Sequence, residues 1–291
     1  MQSQQKIKKN INNISHISEI IHSTELIAAS RLRRSQARLK TITPYSDLFI
    51  NLLEDLVNSL KDEEKQDFPL LYSPKGTKRN LFIVVGGERG LCGGYLSNIL
   101  KKIQEHLRTL KETEIIVYGT RTGKMLSNRG YNIIEVNSIS PVISFDTIHS
   151  ISNRIQGAFL SRRYSEVSII YTLFKSAFLY IPVDSLLIPI QFQNTGITSR
   201  LENYIFEPSI KDILKELLPL FIGVRLYRIF LETITSEYAA RRIAMHQAYE
   251  NANELLKSLY TTYQRLRQTS ITTELIEVSS SKIARERKEE L

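Results

Sequence analysis

Apolar residues recur every three or four positions along the first part of the chain, which is the spacing of one face of an amphipathic helix. The repeating positions are Ile7, Ile11, Ile14, Ile17, Ile21, Ala28, Leu32 and Leu39. Neither glycine nor proline interrupts them before Pro44, and leucines continue the pattern from Leu48 to Leu60. The pattern predicts one long helix that Pro44 can bend.

A second and longer helical pattern begins after Ser209. Its apolar positions follow a nearly seven-residue repeat from Ile213 to Ile276, and neither glycine nor proline occurs after Gly223. Such a repeat is typical of a left-handed coiled coil. About 60 residues without a helix breaker would form a rod of roughly 90 Å at 1.5 Å per residue. Because a rod of this length needs a partner for its apolar seam, we expect the N-terminal helix to pair with it in an antiparallel coiled coil.

Between the two helical regions the pattern changes to short apolar runs separated by helical stretches. The runs predict strands at 81–85, 115–118, 133–136 and 167–171, and the stretches predict helices at 95–110, 120–129 and 144–162. Alternating strands and helices are typical of an α/β domain with a mostly parallel sheet. We therefore predict an N-terminal shaft helix at 1–77, a Rossmann-like α/β head at 78–203 and a C-terminal shaft helix at 204–291.

Composition narrows the class of protein. The 291 residues are 42% hydrophobic and 24% charged, as in ordinary folded proteins. The longest apolar stretch, 181–190, is too short to span a membrane, and the N-terminus lacks the pattern of a signal peptide, so we expect a cytosolic chain. Cys92 is the only cysteine, which excludes an internal disulfide and a four-thiolate metal site.

The chain is basic, with a formal net charge of +9 and an isoelectric point near 9.5. Such a charge suits nucleic acid, an anionic membrane surface or an acidic protein partner. Basic side chains are concentrated in the first forty residues at Lys6, Lys8, Lys9, Arg31, Arg33, Arg34, Arg38 and Lys40. A coiled-coil adaptor that binds nucleic acid through this region is one alternative, although no aromatic residues are interleaved with the charges.

Two glycine-containing loops follow predicted strands, where a phosphate-binding loop would lie. The loop from Gly86 to Gly94 matches neither G-x-G-x-x-G nor the G-K-[ST] ending of a P-loop, so a tight turn with positive φ is favoured. The loop from Gly119 to Lys124 is one residue short of a P-loop, and Met125 replaces the magnesium-binding Ser or Thr. A nucleotide-dependent enzyme that uses 87–94 remains a further alternative.

Other candidate chemistry is sparse. Cys92 could be a nucleophile activated by a helix N-terminus, but no base accompanies it in the sequence. The five histidines have no metal-ligand spacing; they are His16, His22, His106, His149 and His246. We therefore predict no catalytic residue, no metal and no cofactor.

Several segments, in the same order along nearly the whole chain, resemble the gamma subunit of F-type ATP synthase. They are Ile27-Ala-Ala-Ser-Arg-Leu-Arg-Arg-Ser-Gln36, similar to V-A-A-S-K-L-R-R-A-Q; Arg89-Gly-Leu-Cys-Gly-Gly94, similar to R-G-L-C-G-G; Ser236-Glu-Tyr-Ala-Ala-Arg241, similar to S-E-x-A-A-R; Arg267-Gln-Thr-Ser-Ile-Thr-Thr-Glu-Leu275, similar to R-Q-x-x-I-T-x-E-L; and Tyr204-Ile-Phe-Glu-Pro208, before the C-terminal helix.

The resemblance implies a central rotor shaft and no active site. The paired helices would stand inside a ring of alternating alpha and beta subunits, and the α/β head would lie towards the membrane. Rotation of the asymmetric shaft would drive the nucleotide sites of the beta subunits through different affinities, so that catalysis occurs there. An epsilon-type subunit and a ring of c subunits would bind the foot, at the cytoplasmic face of a bacterial cell membrane, and nucleic acid would not be a partner.

The resemblance also implies roles for individual residues. The contacts with loops of the beta subunits would be Arg267, Gln268, Thr272 and Glu274. The other shaft contacts would be Glu25, Arg31, Arg33, Arg34, Arg241 and Arg242. The foot contacts would be Tyr204, Phe206 and Glu207.

Some positions depart from the family pattern. Glu25 stands where a lysine is usual, Thr24 replaces a methionine, and Arg242 replaces an apolar residue. These changes keep open a second kind of rotor, a paralogue that serves a specialised motor and drives another load.

Overall fold

The computed structural model describes residues 2–74, 76–77, 79–107, 113–192 and 205–289. Helix α1 spans Gln2–Asn58 without interruption at Pro44, and helix α6 spans Ile210–Glu289 with Pro219 inside it. The two predicted long helices are confirmed. Helix α6 contains 80 residues and so exceeds the expected length of the rod.

Shorter elements lie between them. After α1 come α2 at Asp62–Lys65 and a 3-10 turn at Pro69–Leu71, and then β1 at Asn80–Val85, α3 at Tyr95–Leu107, β2 at Thr113–Tyr118, α4 at Thr120–Ser127, β3 at Ile133–Asn137, α5 at Phe145–Leu160, β4 at Glu166–Phe174 and β5 at Tyr180–Ile188. The four predicted strands and the three predicted helices are all present.

The five strands form one sheet in the order β3-β2-β1-β4-β5. The first four strands are mutually parallel, and β5 runs antiparallel to β4 with Val167 opposite Ile188. Strand β5 was not predicted. It lies at the edge of the sheet and leaves most of its side chains half-buried or exposed, so its sequence lacks the continuous apolar run of a central parallel strand.

Alternate side chains of β1 enter two separate cores, as the twofold period of a strand requires. Leu81 and Ile83 pack with residues of α1, α5 and α6, whereas Phe82 and Val84 pack with residues of α3 and α4. All four are at most 1% exposed. The sheet is therefore covered by helices on both faces, as in a doubly wound α/β domain.

The chain divides into two compact units. The first consists of Met1–Ile27 and Arg242–Leu291, and the second of Ala28–Arg241. The domain boundaries predicted at residues 77 and 203 divide the chain by sequence position, whereas these two units group residues by contact. Those boundaries therefore stay predictions.

In the first unit, contacts between α1 and α6 follow an antiparallel register. The Ser18 hydroxyl donates to the Asn253 side chain over 3.3 Å, and the His22 ring stacks on Tyr249 with 4.6 Å between centroids. Residue numbers rise on α1 as they fall on α6.

The second unit has the same register. Arg31 donates to the Tyr238 hydroxyl over 3.4 Å, and Phe49 lies against Phe221 with 6.3 Å between ring centroids. The predicted antiparallel pairing of the long helices is therefore confirmed within each unit.

Candidate functional site

The loop that follows β1 is fixed to α6 by a buried ion pair. The backbone N–H groups of Glu88 and Arg89 donate to the two carboxylate oxygens of Glu237 over 3.0 and 3.3 Å. Arg241, one turn further along α6, donates to the same carboxylate and also to the carbonyl oxygen of Gly90, the latter over 3.2 Å. The side chains of Glu237 and Arg241 are each only 8% exposed. The buried pair of Glu237 and Arg241, called the anchor below, therefore fixes the loop to α6.

This anchor occupies the position that a phosphate would need. Successive backbone N–H groups after a strand commonly bind phosphate oxygens. Here the N–H groups of Glu88 and Arg89 are already paired with the carboxylate of Glu237. The hypothesis of a nucleotide-dependent enzyme that uses residues 87–94 is therefore not supported.

Glu88 forms a second carboxylate anchor, which sequence reasoning missed. Its side chain accepts hydrogen bonds from the backbone N–H of Thr120 over 2.9 Å and from the backbone N–H of Ile139 over 3.0 Å. Thr120 is the first residue of α4, and a negative charge at a helix N-terminus is favourable. One side chain thus joins the ends of three strands, because Glu88 follows β1, Thr120 follows β2 and Ile139 follows β3.

Glycines allow the loops after β1 and β2 to approach each other closely. A Cβ atom on Gly119 would lie 2.9 Å from the carbonyl oxygens of both Gly86 and Gly87, and φ of Gly119 is +116°. The backbone N–H of Gly87 donates to the Thr122 hydroxyl over 2.8 Å. The loop from Gly119 to Lys124 is therefore a tightly packed start of α4. In the loop from Gly86 to Gly94, positive φ occurs at Leu91 and Gly93.

Helix α6 is also hydrogen-bonded to the sheet domain beyond this loop. The Tyr95 hydroxyl donates to the Thr233 carbonyl over 3.3 Å, and the Ser236 hydroxyl donates to the Thr172 carbonyl over 3.3 Å. Cys92 lies beside them and is 3% exposed. Burial, reinforced by the nearby Glu237 charge, raises the pKa of the Cys92 thiol, which is the opposite of what an activated nucleophile requires.

The predicted shaft contacts lie in different environments. Arg241 is buried in the anchor, and Arg31 is half-buried beside Tyr238, with its guanidinium 5.8 Å from the ring centroid. Glu25 is half-buried and lies 3.0 Å from His246. The exposed members of the set are Arg33, Arg34 and Arg242.

The predicted beta-loop contacts lie on one exposed stretch of α6. Arg267, Gln268, Thr272 and Glu274 are all exposed. The hydrogen bonds of Thr272 and Glu274 go to neighbours one turn away on the same helix. Their outer surfaces are open to a partner.

The structure describes two of the three predicted foot contacts. Phe206 is half-buried and packs against the larger core, and Glu207 is exposed. Tyr204 lies outside the described residues.

Neither a metal site nor a membrane span emerges from the part of the chain that the structure describes. There, no three His, Cys, Asp or Glu side chains are grouped so that they could hold a metal ion. No helix of that part combines the length and the apolarity that crossing a bilayer requires.

Long paired helices and a mixed sheet covered by helices mark the chain as one of the α/β proteins that carry long terminal helices. Comparisons with known proteins identify which one. The family model described as ATP synthase matches residues 3–284. The ATP synthase gamma chain of Cytophaga hutchinsonii is 32% identical over 289 residues, which cover 96% of this chain and 97% of the relative. That of Geobacter sp. strain M21 is 32% identical over 284 residues, with 96% and 98% covered.

Solved structures agree in fold. A chain of the Euglena gracilis mitochondrial ATP synthase superimposes with a TM-score of 0.74 at 13% identity, covering 100% of this chain and 97% of that one. A chain of the Tetrahymena thermophila mitochondrial ATP synthase central stalk and c-ring gives 0.59 at 18% identity, covering 79% and 99%. The chain therefore belongs to the ATP synthase gamma family, whose members are the central-stalk rotor subunit of F-type ATP synthase. The expected family and the absence of a catalytic role are confirmed.

Proposed function

We propose that this chain rotates inside a ring of alternating alpha and beta subunits and binds loops of the beta subunits through Arg267, Gln268, Thr272 and Glu274. An epsilon-type subunit and a ring of c subunits bind the foot around Phe206 and Glu207, and the complex lies at the cytoplasmic face of a bacterial cell membrane. The relatives in Cytophaga and Geobacter, and the solved complexes with F1 and a c-ring, support this assignment.

The observation that carries the proposal is the composition of α6 around these positions. Between Arg265 and Thr273 the helix has a shallow groove lined by arginine, glutamine and threonine side chains. Groups that combine positive charge with hydrogen-bonding capacity suit acidic and polar partner loops, for which they provide specificity. Because these side chains of α6 are exposed, a partner can bind them without any unfolding of the chain.

The anchor supplies the mechanical link that a rotor needs. Torque applied to α6 reaches the sheet through the buried pair of Glu237 and Arg241 and through the hydrogen bonds of Ser236 and Thr233. Such close-packed, hydrogen-bonded contacts resist shear because interiors deform little before they break. The sheet domain therefore turns with the helix.

The test is co-purification from native membranes through a C-terminal tag, followed by mass spectrometry and an ATPase assay. Alpha and beta subunits are expected in threefold excess over this chain. Replacing Arg267→Glu together with Glu274→Lys is expected to change ATPase activity about tenfold, since two lost interfacial charge contacts are worth roughly 1–2 kcal/mol. The matched control is Glu254→Lys together with Lys257→Glu, which reverses two exposed charges elsewhere on α6. Recovery of the chain alone or with nucleic acid, or wild-type activity of the first variant, would contradict the proposal.

A second candidate is the rotor of a specialised motor that drives another load. It is favoured by Glu25, which stands where the family usually has lysine and contacts His246 at 3.0 Å. The same purification separates the two candidates. Subunits of a c-ring in the eluate indicate an ordinary ion-coupled synthase, and their replacement by another membrane component indicates the specialised motor.

A further inference from the structure

A cleft of about 820 Å³ opens at the carboxyl ends of β1, β2 and β3, beside α5. Tyr118 and Asn137, which end β2 and β3, both line it. Open α/β sheets bind small ligands at this edge, and the volume is typical of small-molecule sites. The rotor function described above assigns no role to the cleft.

The walls of the cleft are largely apolar. Phe230 of α6 lies edge-on to Tyr118, with 5.1 Å between ring centroids. The aliphatic lining residues are Ile139, Ile143, Ile148, Ile151 and Val142. A ligand body of aromatic or aliphatic character would bury its surface here, at roughly 25 cal/mol per Å² of apolar area.

Three side chains that line the cleft can donate hydrogen bonds to a ligand, and four serine and threonine hydroxyls line it as well, those of Ser138, Ser140, Thr147 and Ser150. The Nδ2 atom of Asn137 is buried and has no hydrogen-bond partner, a state that costs about 1–3 kcal/mol and that an acceptor atom would relieve. Arg154 of α5 is held in place by bonds of 2.9 Å to Glu135 and 3.0 Å to the Tyr118 hydroxyl. Arg89 lines the cleft with an exposed side chain.

The one carboxylate among the lining residues, that of Glu88, is engaged by donors of the protein itself. Glu88 accepts hydrogen bonds from the backbone N–H groups of Thr120 and Ile139 and from the Thr120 hydroxyl. The cleft therefore presents the guanidinium groups of Arg89 and Arg154 and the unpaired amide of Asn137. The Glu88 carboxylate keeps its charge but is turned towards Thr120 and Ile139, and Arg154 shares its charge with Glu135 while retaining further N–H groups. An anion would bind through these side chains rather than through the backbone of the loop, which Glu237 already occupies.

We propose that this cleft binds a small organic anion, with its carboxylate or phosphate on Asn137, Arg89 and Arg154 and its apolar body against Phe230. Bound there, the ligand would bridge the ends of β2 and β3, α5 and the loop that Glu237 ties to α6. It would thus bind at the junction through which the sheet domain follows α6.

The proposal is tested by calorimetric titration of the full-length chain with 1-naphthyl phosphate, 1-naphthoate and the neutral 1-naphthalenemethanol. Saturable binding of at least one anion at one site per chain is expected, with the neutral compound at least tenfold weaker. The two anions distinguish phosphate from carboxylate recognition. Absence of saturable binding, or equal affinity for the neutral compound, overturns the proposal.

Variants locate the binding site. Arg89→Gln and Asn137→Leu are each expected to weaken anion binding at least tenfold, and Ile151→Trp, which fills the cleft, to abolish it. Arg121→Gln, an exposed arginine of α4 that does not line the cleft, is the matched control and should bind like the wild type. Arg89 is exposed and Asn137 has an unpaired amide, so both variants should fold, which thermal unfolding checks. Wild-type affinity in both Arg89→Gln and Asn137→Leu overturns the assignment.

Discussion

At the scale of single residues, Glu237 is a side chain on which several internal contacts converge. It accepts from two backbone N–H groups and from Arg241, and all of this occurs in a buried environment. Removing one partner of a buried pair leaves the other charge uncompensated, at a cost of about 3–5 kcal/mol. We expect Glu237→Ala to lower the free energy of unfolding by that amount in urea titrations. Glu250→Ala, an exposed glutamate of the same helix, should change it by less than about 0.5 kcal/mol. Equal effects of the two variants would show that the buried pair does not stabilise the fold.

Alanine substitutions at three glycines distinguish the cost of backbone strain from the cost of steric clash. Gly119 has φ +116° and no room for a Cβ, Gly130 has φ +77° with open space, and Gly157 lies in α5 with open space and no positive φ. Replacement of Gly119 by alanine should destabilise the chain by several kcal/mol, because strain and clash add. At Gly130, where only strain acts, alanine should destabilise it by roughly 1–2 kcal/mol. At Gly157, where neither acts, alanine should stabilise it by about 0.5–1 kcal/mol. Thermal unfolding of the three variants measures the order, and a Gly130→Ala variant less stable than Gly119→Ala would refute the clash.

Sequence reasoning found some of these residues and could not find others. Glu237 and Arg241 lie within a segment that resembles the gamma family, yet the segment alone does not reveal that both are buried and bind a loop about 150 residues earlier. Glu88 gave no signal at all. Its partners Thr120 and Ile139 are 32 and 51 positions away, and no local spacing rule connects them.

At the scale of elements, Glu114 ties β2 to the start of β4. Its carboxylate accepts from the Tyr164 hydroxyl over 2.6 Å and from Arg163 over 2.9 Å. The Tyr164 hydrogen bond, with the nearby Arg163 charge, lowers the pKa of Glu114 below its ordinary value of 4.5. A lowered pKa means that the charged form stabilises the fold, so the contribution is complete above the unfolded pKa and is lost as the pH falls through the folded pKa.

We therefore expect Glu114→Gln to reduce the free energy of unfolding by about 1–3 kcal/mol at pH 7, since hydrogen bonds to charged groups are worth this much. The difference from the wild type should begin to shrink as the pH falls below 4.5, and it should vanish only below the lower pKa of the folded state, where the wild-type carboxylate is also neutral. Urea titrations between pH 3 and pH 7 measure the change, with the exposed Glu166→Gln as control. A difference that stays constant over this range would mean that the charge of Glu114 does not matter.

Elements were predictable where burial shaped the sequence. The parallel strands β1, β2 and β4 lie inside the sheet, and their apolar runs follow from that position. Strand β3 is an edge strand, which was still predictable because it carries Ile133, Ile134 and Val136 although the last two are exposed. The fifth strand, Tyr180–Ile188, is an antiparallel edge strand in which Asp184 faces Lys102 at 2.7 Å, so an exposed charge interrupts the apolar run. Its pairing depends on the hairpin with β4, which periodicity alone does not reveal.

At the scale of the whole molecule, the two units differ in how much apolar surface they bury. In the unit formed by 1–27 and 242–291, the described residues that are buried are Ile11, Ser18 and Met245. Large apolar side chains on the same helices are exposed, among them Ile20 at 66% and Leu275 at 65%. The other unit contains both cores. Two helices that bury one narrow seam gain little from packing, and isolated helices are marginal in water.

We therefore expect amide hydrogen exchange in 4–27 and 242–280 to be much faster than in β1 when the full-length chain is studied alone. Opening of the paired helices should require only a small fraction of the free energy needed to open the central strand. In the purified ATPase complex, a surrounding sleeve would cover the exposed apolar side chains, so exchange in these segments should slow by at least tenfold, and β1, already buried, serves as the internal control. Slow exchange of the helices in the isolated chain would show that the pair is stable without partners. The exposed apolar residues of these helices would then not be explained by burial against surrounding subunits.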